Sequence, residues 1–510
     1  MMKDKYRSSP SPTEWLLLLL VVAWGVIQRW YGIDRQGLWA DELFAVANSY
    51  APHFSHLYPT LLGDSHPPGY LSFMYFTLPW TDYSDTGIRF HAFAAGSLLL
   101  VVVYALGRRY FTSTTGLVAA LLLAGNLSAI EYSQEARAYS LLMLFSWIHV
   151  YYFIAIFIER NYTYWSLLIV NIAGVAILYL HYSAMVFIGL EALFAGWLCI
   201  QKRDWSLALD GLKTFLFPLL SFIPWMGVML HHMTHTTYWG VRPTLADLQW
   251  VWLFFVGRHP FDWLLHAICI MYTAICTIQY MRGNTIRSDK NTGPIAHKLI
   301  LLFILLAFPP LVFFLKSQVS QPVFVDRYLI ASLPAAILLT AIPVAMVFEK
   351  IVPRRLYLVC ILLSSIAFGY WQFYINSLHG LYVGMNKQPF REATSILRDD
   401  LQLKNERFVI FSTHPHVRHY LQQMGVLQRA DLVLYDPITL SRIETYLSAH
   451  PVDYFYVFEV APDPSVLPAI NERYHNTCTS RMPWIYLGKY ETVGYEPAKH
   501  GSAESERPCP

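Results

Sequence analysis

The sequence is short of charge. Asp, Glu, Lys and Arg make up 14% of its 510 residues, where soluble domains average about a quarter, which excludes a soluble enzyme and a disordered chain. An excess of one sign is lacking too: 37 Lys and Arg face 34 Asp and Glu, leaving no basic surface for a nucleic-acid backbone. Cysteine is scarce, with six residues and no CxxC or Cys/His spacing of a zinc site. No internal repeat is visible, which counts against an inverted-repeat transporter. What is plentiful is apolar sequence: aliphatic, aromatic and cysteine residues reach 55%, aromatics alone 16%. That is the composition of a polytopic membrane protein.

A span needs about 20 mainly apolar residues. Eleven stretches meet this: Glu14–Tyr31, Thr86–Leu106, Gly116–Glu131, Ala138–Ile158, Tyr164–His181, Ser183–Ile200, Leu209–Leu230, Phe261–Met281, Lys298–Phe314, Tyr328–Phe348 and Leu356–Tyr374. No small-residue cleavage site follows the first, which instead runs into the interfacial pair Trp30-Tyr31. His66–Trp80 is apolar but interrupted by prolines and too short, which suits an interfacial or re-entrant segment. Leaving it out of the count puts Lys3, Lys5, Arg7, Arg108-Arg109, Arg160, Lys202-Arg203, Arg282, Arg287, Lys290, Lys350 and Arg354-Arg355 all on the cytoplasmic side. Counting it would move every basic loop after it outside, so the positive-inside rule decides for eleven.

The outer loops are then Gly32–Asp85, Tyr132–Arg137, His231–Gln249 and Ser317–Arg327. From about Ile375 the chain becomes polar and alternates helix and strand patterns. Helix-like stretches are Arg391–Gln402, Val417–Met424, Ile438–Leu447 and Pro464–Tyr474; strand-like ones are Arg407–Ser412, Leu432–Tyr435, Asp453–Phe458 and Trp484–Tyr490. The expected architecture is a helical membrane module, residues 1–374, followed by a small α/β domain outside the membrane, residues 375–510. Cys478 and Cys509 both fall in that domain, where a disulfide between them is an option.

Polar groups at a membrane edge are costly and therefore informative. Four such clusters share the outer side. Trp39-Ala40-Asp41-Glu42 follows span one; its carboxylates suit a general base or the N-terminus of a helix. Asp64-Ser65-His66-Pro67-Pro68-Gly69-Tyr70 opens the re-entrant stretch, with prolines placed for a first helical turn. Glu131-Tyr132-Ser133-Gln134-Glu135-Ala136-Arg137 packs two glutamates and an arginine into a very short loop, as a ligand-facing set or an internal ion network. Asp326-Arg327-Tyr328 enters span ten; Arg327, with Lys316 at the outer end of span nine, can clamp a lipid-borne phosphate or simply snorkel. His181-Tyr182 ends span five at the same face, and His231, His232 and His235 are metal candidates or ordinary surface histidines. The triplets Asn126-Leu127-Ser128 and Asn161-Tyr162-Thr163 lie in a span and on the inner side, so neither is expected to carry a glycan.

Trp39-Ala40-Asp41-Glu42, His66-Pro67-Pro68-Gly69-Tyr70, Tyr132–Tyr139 and Arg327-Tyr328-Leu329 occur in that order. The series resembles the GT-C glycosyltransferases, in the bacterial branch near protein O-mannosyltransferases and the lipid A aminoarabinose transferase, over about the first 350 residues. The resemblance implies an inverting transferase of the inner membrane. Its donor would be a polyprenyl-phosphate sugar, its acceptor a hydroxyl of a glycan, lipid or protein, and its chemistry and C-terminal domain would lie on the periplasmic side. It implies Asp41 as the catalytic carboxylate, and Glu42, Asp64, His66 and Glu135 near the acceptor or a metal. Arg137, Arg327, Tyr328 and Lys316 are the candidates for the donor phosphate, with a divalent cation as the alternative source of positive charge. Two departures stand out. The aminoarabinose transferase has an acidic–lysine pair where Ser65-His66 stands, so its metal site does not carry over, and the protein mannosyltransferases have an Asp-containing sequence in place of Gln134–Arg137.

The competing readings are a transporter or flippase of lipid-linked glycans and a glycan polymerase or ligase. A transporter would place ionisable groups near the midplane of several spans. Here Asp41, Glu131, Glu135 and Asp326 sit at outer ends, and Glu191 is the main exception.

Overall fold

The computed structural model describes residues 10–235, 240–282, 293–352, 357–378, 387–403, 408–428, 430–460, 466–482 and 484–492. The chain forms two compact units, Met1–Tyr31 with Ala51–His379, and Gly32–Tyr50 with Gly380–Pro510.

In the first unit the helices are α1 (Pro12–Trp30), α3 (Tyr58–Gly63), α4 (Gly69–Thr77), α5 (Asp85–Tyr110), α6 (Ser113–Gly125), α7 (Leu127–Ser133) and α8 (Tyr139–Phe153). They continue as α9 (Tyr164–Leu180), α10 (Ala184–Lys202), α11 (Ser206–His235), α12 (Leu245–Val256), α13 (Pro260–Met281), α14 (Gly293–Val319), α15 (Leu333–Ile351) and α16 (Tyr357–Leu378). α2 (Ala40–Ser49) belongs to the second unit. The starts follow local rules. Ser11 accepts the Glu14 N–H to open α1, which has Pro12 at its first position, and Ser84 accepts the Gly87 N–H to open α5. The salt bridge of Arg108 with Glu14, at 2.7 Å, ties the end of α5 to the start of α1.

Among the described residues eight helices are long and apolar enough to cross a membrane, or nine if the bent pair α6–α7 is one span. That is fewer than the eleven expected, and the difference has two sources. α9 is apolar but has 17 residues, and the side chains of α16 lie largely outside the described set. The His66–Trp80 segment forms the nine-residue α4 and a 3-10 turn, Leu78–Trp80. At 1.5 Å per residue α4 is about 14 Å long, half of what a bilayer core demands.

The bend of 65° between α6 and α7 leaves carbonyls without helical partners in a buried place, where each would be costly. Arg29 of α1, fully buried, answers them: its guanidinium donates to Leu123 O at 3.1 Å, Ala124 O at 3.2 Å and Gly25 O at 3.0 Å. Gly25, one turn before Arg29, lies on the same face, and an added Cβ there would lie 2.4 Å from the Leu100 Cδ1, so the leucine would have to shift. Asn126 accepts the Ala129 N–H to restart the helix, and donates to Phe255 O at 2.9 Å; Ser128 donates to Phe254 O at 2.6 Å. These two bonds satisfy the end of α12. The sequon asparagine is thus buried and fully used.

The second unit carries a five-stranded sheet of β1 (Phe408–Ser412), β2 (Ala430–Leu434), β3 (Tyr454–Val460), β4 (His475–Met482) and β5 (Ile485–Glu491). Its order is β2-β1-β3-β5-β4, with β2, β1 and β3 parallel and β5 antiparallel to both β3 and β4. The helices are α17 (Phe390–Leu403), α18 (Arg418–Gln423), α19 (Leu440–Ala449) and α20 (Val466–Arg473). One core joins Val409, Phe411, Phe455, Val457, Ile443 and Ile470, while Phe390 of α17 stacks on Phe458 of β3. β4 was not expected: its sequence is polar, and only Asn476 and Cys478 turn inward. Cys478 is disulfide-bonded; Cys509 lies outside the described residues. The first-loop segment Gly32–Tyr50, expected with the membrane module, belongs here because its backbone is hydrogen-bonded to α17 and α18.

Arg29→Met keeps the bulk but leaves the Leu123 and Ala124 carbonyls unmatched. The expected loss is about 2–4 kcal/mol of stability, read as a lower thermal midpoint in lipid. An unchanged midpoint would mean that the bend does not depend on Arg29.

Candidate functional site

Three of the four outer clusters converge within the first unit. The short loop after α7 is held from both sides. Gln134 donates through Nε2 to Arg29 O at 3.0 Å and Tyr31 O at 2.9 Å, satisfying carbonyls at the end of α1. Ser140 donates to Tyr132 O at 2.7 Å, and the Arg137 N–H turns back to Glu135 O at 2.8 Å. Glu135 and Arg137 are therefore fixed, with 2% and 8% of their surface exposed.

The Asp64–His66 segment is fixed in a different way. Gly69 sits where an added Cβ would lie 2.4 Å from the Tyr179 carbonyl of α9, so only glycine lets α4 approach that backbone. Upstream, His232 of α11 uses both ring nitrogens: Nε2 meets Leu62 O at 2.9 Å and Nδ1 meets the Tyr182 hydroxyl at 2.9 Å. A carbonyl only accepts, so the ring proton is on Nε2 and the Tyr182 hydroxyl donates to Nδ1. Trp225 Nε1 donates in turn to the Tyr182 oxygen at 3.1 Å. This removes His232 from the metal candidates of the sequence and makes it an anchor for the loop carrying Asp64.

Asp64 Oδ1 accepts from His66 Nδ1 at 3.0 Å and from the Ser65 N–H at 2.6 Å. Burial by itself would raise the Asp64 carboxyl. The hydrogen bond and charge of His66, the charge of Arg137 and the Ser65 N–H outweigh it, and hold the group below its ordinary 3.8.

His181, the residue after α9, is where the pieces meet. Its ring lies 4.7 Å from Tyr328, 5.7 Å from His66 and 5.8 Å from Tyr139, and the charges of Arg137 and Arg327 both act on it. The Ser183 N–H donates to Nδ1 at 3.1 Å, so the neutral ring carries its proton on Nε2. The turn Asp326–Ser332, which bears Arg327 and Tyr328, is pinned to α8 by Trp147 Nε1 donating to Ala331 O at 2.9 Å. Asp64, His66, Pro67, Tyr70, Arg137 and His181 line one small cavity. Arginines beside a carboxylate, a histidine and aromatic rings can hold an anionic phosphate while keeping an acceptor for a hydroxyl proton nearby. Sequence reading gave His181 little weight; its signal was a histidine ending an apolar helix.

Lys316 does not join the group. It is exposed on the last turn of α14, and among the described residues it has no hydrogen bond or ion pair with the cluster.

Asp41 and Glu42 lie in the second unit, in the first turn of α2. Glu42 is fully buried and its carboxylate accepts the Trp39 N–H at 3.2 Å. It is therefore used to start the helix. Asp41 is one residue earlier, partly exposed, and its charge acts on His416. No group of three His, Cys, Asp or Glu side chains that could hold a metal occurs among the described residues. Asp64 and His66 supply two donors, and Asp64 Oδ1 is already engaged. A divalent cation there would take the remaining ligands from substrate or water.

The model of the family described as dolichyl-phosphate-mannose-protein mannosyltransferase matches residues 65–231. No curated protein matches the chain in sequence. Among solved structures, ArnT from Cupriavidus metallidurans bound to undecaprenyl phosphate aligns with 95% of this chain and 100% of its own, at TM-score 0.58 and 13% identity. The archaeal oligosaccharyltransferase AglB from Archaeoglobus fulgidus, with an inhibitory peptide and a dolichol-phosphate, covers 95% of this chain and 75% of its own, at 0.54 and 11%. An Archaeoglobus fulgidus oligosaccharyltransferase in complex with zinc and sulfate aligns at 0.53 and 12%, over 93% of this chain and 73% of its own. At these identities the likeness establishes the fold.

An acid held below its unfolded value contributes stability that is complete above 3.8 and vanishes as pH falls through the lower folded value. Asp64→Asn should therefore flatten the acid limb of a thermal melt series run from neutral pH to about pH 3. An acid loss identical to that of the wild type would assign the limb to other carboxylates.

Proposed function

We propose that this chain, which has the fold of the GT-C membrane glycosyltransferases, moves a sugar from a polyprenyl-phosphate donor to an acceptor hydroxyl. The observation that carries the reading is the cluster around His181, where Arg137 and Arg327 act on one buried ring beside the Asp64–His66 pair. Most of that cluster lies inside the family-model match. The two relatives of like fold described above were solved with undecaprenyl phosphate and with a dolichol-phosphate, which are the same class of lipid anion.

Asp41 acts as the base. It takes the proton from the acceptor hydroxyl, whose oxygen attacks the anomeric carbon while the bond to the lipid phosphate breaks on the opposite face, with inversion. The leaving group departs as a phosphate anion, so positive charge matters more than an acid on that side. Arg327 and Arg137 supply it, with Tyr328 packed on the His181 ring. A divalent cation, if bound, would add charge of the same sign; His66 and Glu135 are the residues nearest that role or nearest the acceptor.

The chain crosses the inner membrane eleven times in this reading. α9 and α16 join the nine long or bent spans, which keeps the basic loops together on the cytoplasmic side. The membrane module, Met1–Tyr31 with Ala51–His379, then leaves the C-terminal domain on the periplasmic side, where the disulfide-bonded Cys478 suits an oxidising compartment. The flippase reading loses its main support. Glu191, the main carboxylate within a span, meets His149 at 2.8 Å with neither side chain exposed, so it ties α10 to α8 and does not face an aqueous path.

Purified protein in lipid, given labelled undecaprenyl-phosphate sugars, should release undecaprenyl phosphate, and Asp41→Asn should abolish that release while inserting and melting like wild type. Retained turnover would remove Asp41 as the base. Tight binding of lipid-linked glycan with no release by the wild type would return the flippase. Arg327→Ala should weaken undecaprenyl phosphate binding by about 2–5 kcal/mol, the loss typical of a desolvated ion pair. Unchanged affinity would make Arg327 a snorkelling side chain.

A further inference from the structure

The segment that bears Asp41 is gripped by the C-terminal part of its own unit. Arg391 of α17 donates through Nη2 to Arg35 O at 3.0 Å, and Glu392 Oε1 accepts the Gly37 N–H at 3.0 Å. Gly37 must be glycine, since a Cβ there would lie 2.5 Å from that of Arg391. The Lys387 N–H donates to Gln36 Oε1 at 3.3 Å, and the Lys387 ammonium stands 4.6 Å over the Trp39 ring. Deepest of these contacts is Tyr420 of α18. It is fully buried, and its hydroxyl accepts the Leu38 N–H at 2.5 Å. A helix start normally caps itself with a Ser, Thr, Asp or Asn. α2 has Trp39 at its N-cap, and Glu42 within the helix accepts the Trp39 N–H. The residues leading into that cap are held by side chains and backbone 351 to 382 residues later in the sequence.

A second contact reaches the carboxylate's own side of the helix. Asp41 and Phe44 are three apart and share one face of α2. The His416 ring packs edge-on to Phe44 at 5.9 Å, and the Asp41 charge acts on it. His416 is held in turn by His414, whose ring is 4.8 Å away and packs on Phe390 at 5.3 Å. Burial, with His414 adding to it and Asp41 opposing, pushes His416 down to about 4. At neutral pH it is an uncharged ring with one N–H to donate.

We infer that the C-terminal domain takes part in the reaction by positioning the Asp41 carboxylate, with Tyr420 fixing the entry to α2 and His416 standing beside the carboxylate-bearing face. The inference rests on the reading of Asp41 as the base. Tyr420 and His416 are positioning residues: the proton passes from the acceptor hydroxyl to Asp41, and neither of them needs to gain or lose one. A base displaced by a fraction of an ångström costs turnover more than binding, which gives the role a signature that packing alone would not have.

The test uses full-length protein in lipid: wild type, Asp41→Asn, Tyr420→Phe, His416→Phe and His416→Gln. For each, kcat, donor KM, affinity for undecaprenyl phosphate and the thermal midpoint are measured. Tyr420→Phe removes only the accepting hydroxyl, and His416→Phe keeps a ring against Phe44 without its nitrogens. Each should lower kcat by about tenfold to a hundredfold, with donor KM and undecaprenyl phosphate affinity held within about twofold. His416→Gln, which restores an N–H donor, should recover part of the loss. If Asp41→Asn is inactive while Tyr420→Phe and His416→Phe turn over like wild type, the inference falls and Asp41 stands. Equal losses of kcat and lipid affinity, or a loss that His416→Gln does not relieve, also overturn it. Turnover by Asp41→Asn would instead bring down the reading on which it rests. Should Tyr420→Phe fail to fold, the His416→Phe and His416→Gln pair decides alone.

Discussion

A membrane helix that breaks must find partners for the carbonyls it releases, and the first unit is arranged around one such break. The bend between α6 and α7 is possible because Arg29 crosses from α1 and donates to Leu123 O and Ala124 O. Without that guanidinium the freed groups would face hydrocarbon or apolar side chains, at several kcal/mol each. The bend also decides where the polar loop after α7 falls. Gln134 bonds the carbonyls of Arg29 and Tyr31, so the residue that supports the break also supports the loop holding Glu135 and Arg137. Replacing the arginine would therefore disturb the site as well as the fold.

The same economy governs the cluster beyond the loop. Each polar segment is fixed by backbone bonds or close packing before any ligand arrives. Gly69 presses on the Tyr179 carbonyl, His232 ties Leu62, Trp147 pins Ala331 and the Ser183 N–H sets the His181 tautomer. Pre-set donors cost little reorganisation when an anion binds, which is what a departing phosphate requires. Asp64, in the same cavity, is held below its ordinary carboxyl value because the hydrogen bond and charge of His66, the charge of Arg137 and the Ser65 N–H outweigh its burial.

Long apolar runs are legible in a sequence because bilayer thickness imposes a length on them, and the helices accordingly fall where the runs are. The α/β alternation after Ile375 was legible for the same kind of reason, since its strands and helices carry clear periodic patterns. β4 escaped because an edge strand of residues such as His475, Thr477, Thr479 and Arg481 has no apolar face to give it away. The affiliation of residues 32–50 was illegible in principle. It depends on single hydrogen bonds between residues 382 and 355 apart, Leu38 with Tyr420 and Gly37 with Glu392, and no local pattern encodes a partner at that distance. Glu42 shows the converse: a carboxylate that looked chemical is spent on the Trp39 amide. His181 was visible as a polar residue at a helix end, but only its neighbours make it central. Lys316 had the right charge but lies exposed on the last turn of α14, away from the cluster.

Two concentrations of buried polar side chains in the first unit differ in a way that bears on function. His149 and Glu191 pair at 2.8 Å with no exposed surface, packed against Gly174 and Phe215. A pair so enclosed can fix the register of α8 against α10, but a substrate cannot reach it, and removing one partner would strand the other. Asp64, His66, Arg137 and His181 are also largely buried, yet they share a cavity wall, and the segments that carry them come from three separate parts of the chain. Enclosure without access is what a structural tie needs. Burial that ends at a cavity is what binding needs, because the ligand itself then completes the desolvation and gains the stronger electrostatics of a dry site. The position of the charges, more than their number, is what separates a binding cavity from a buried structural tie in this bundle.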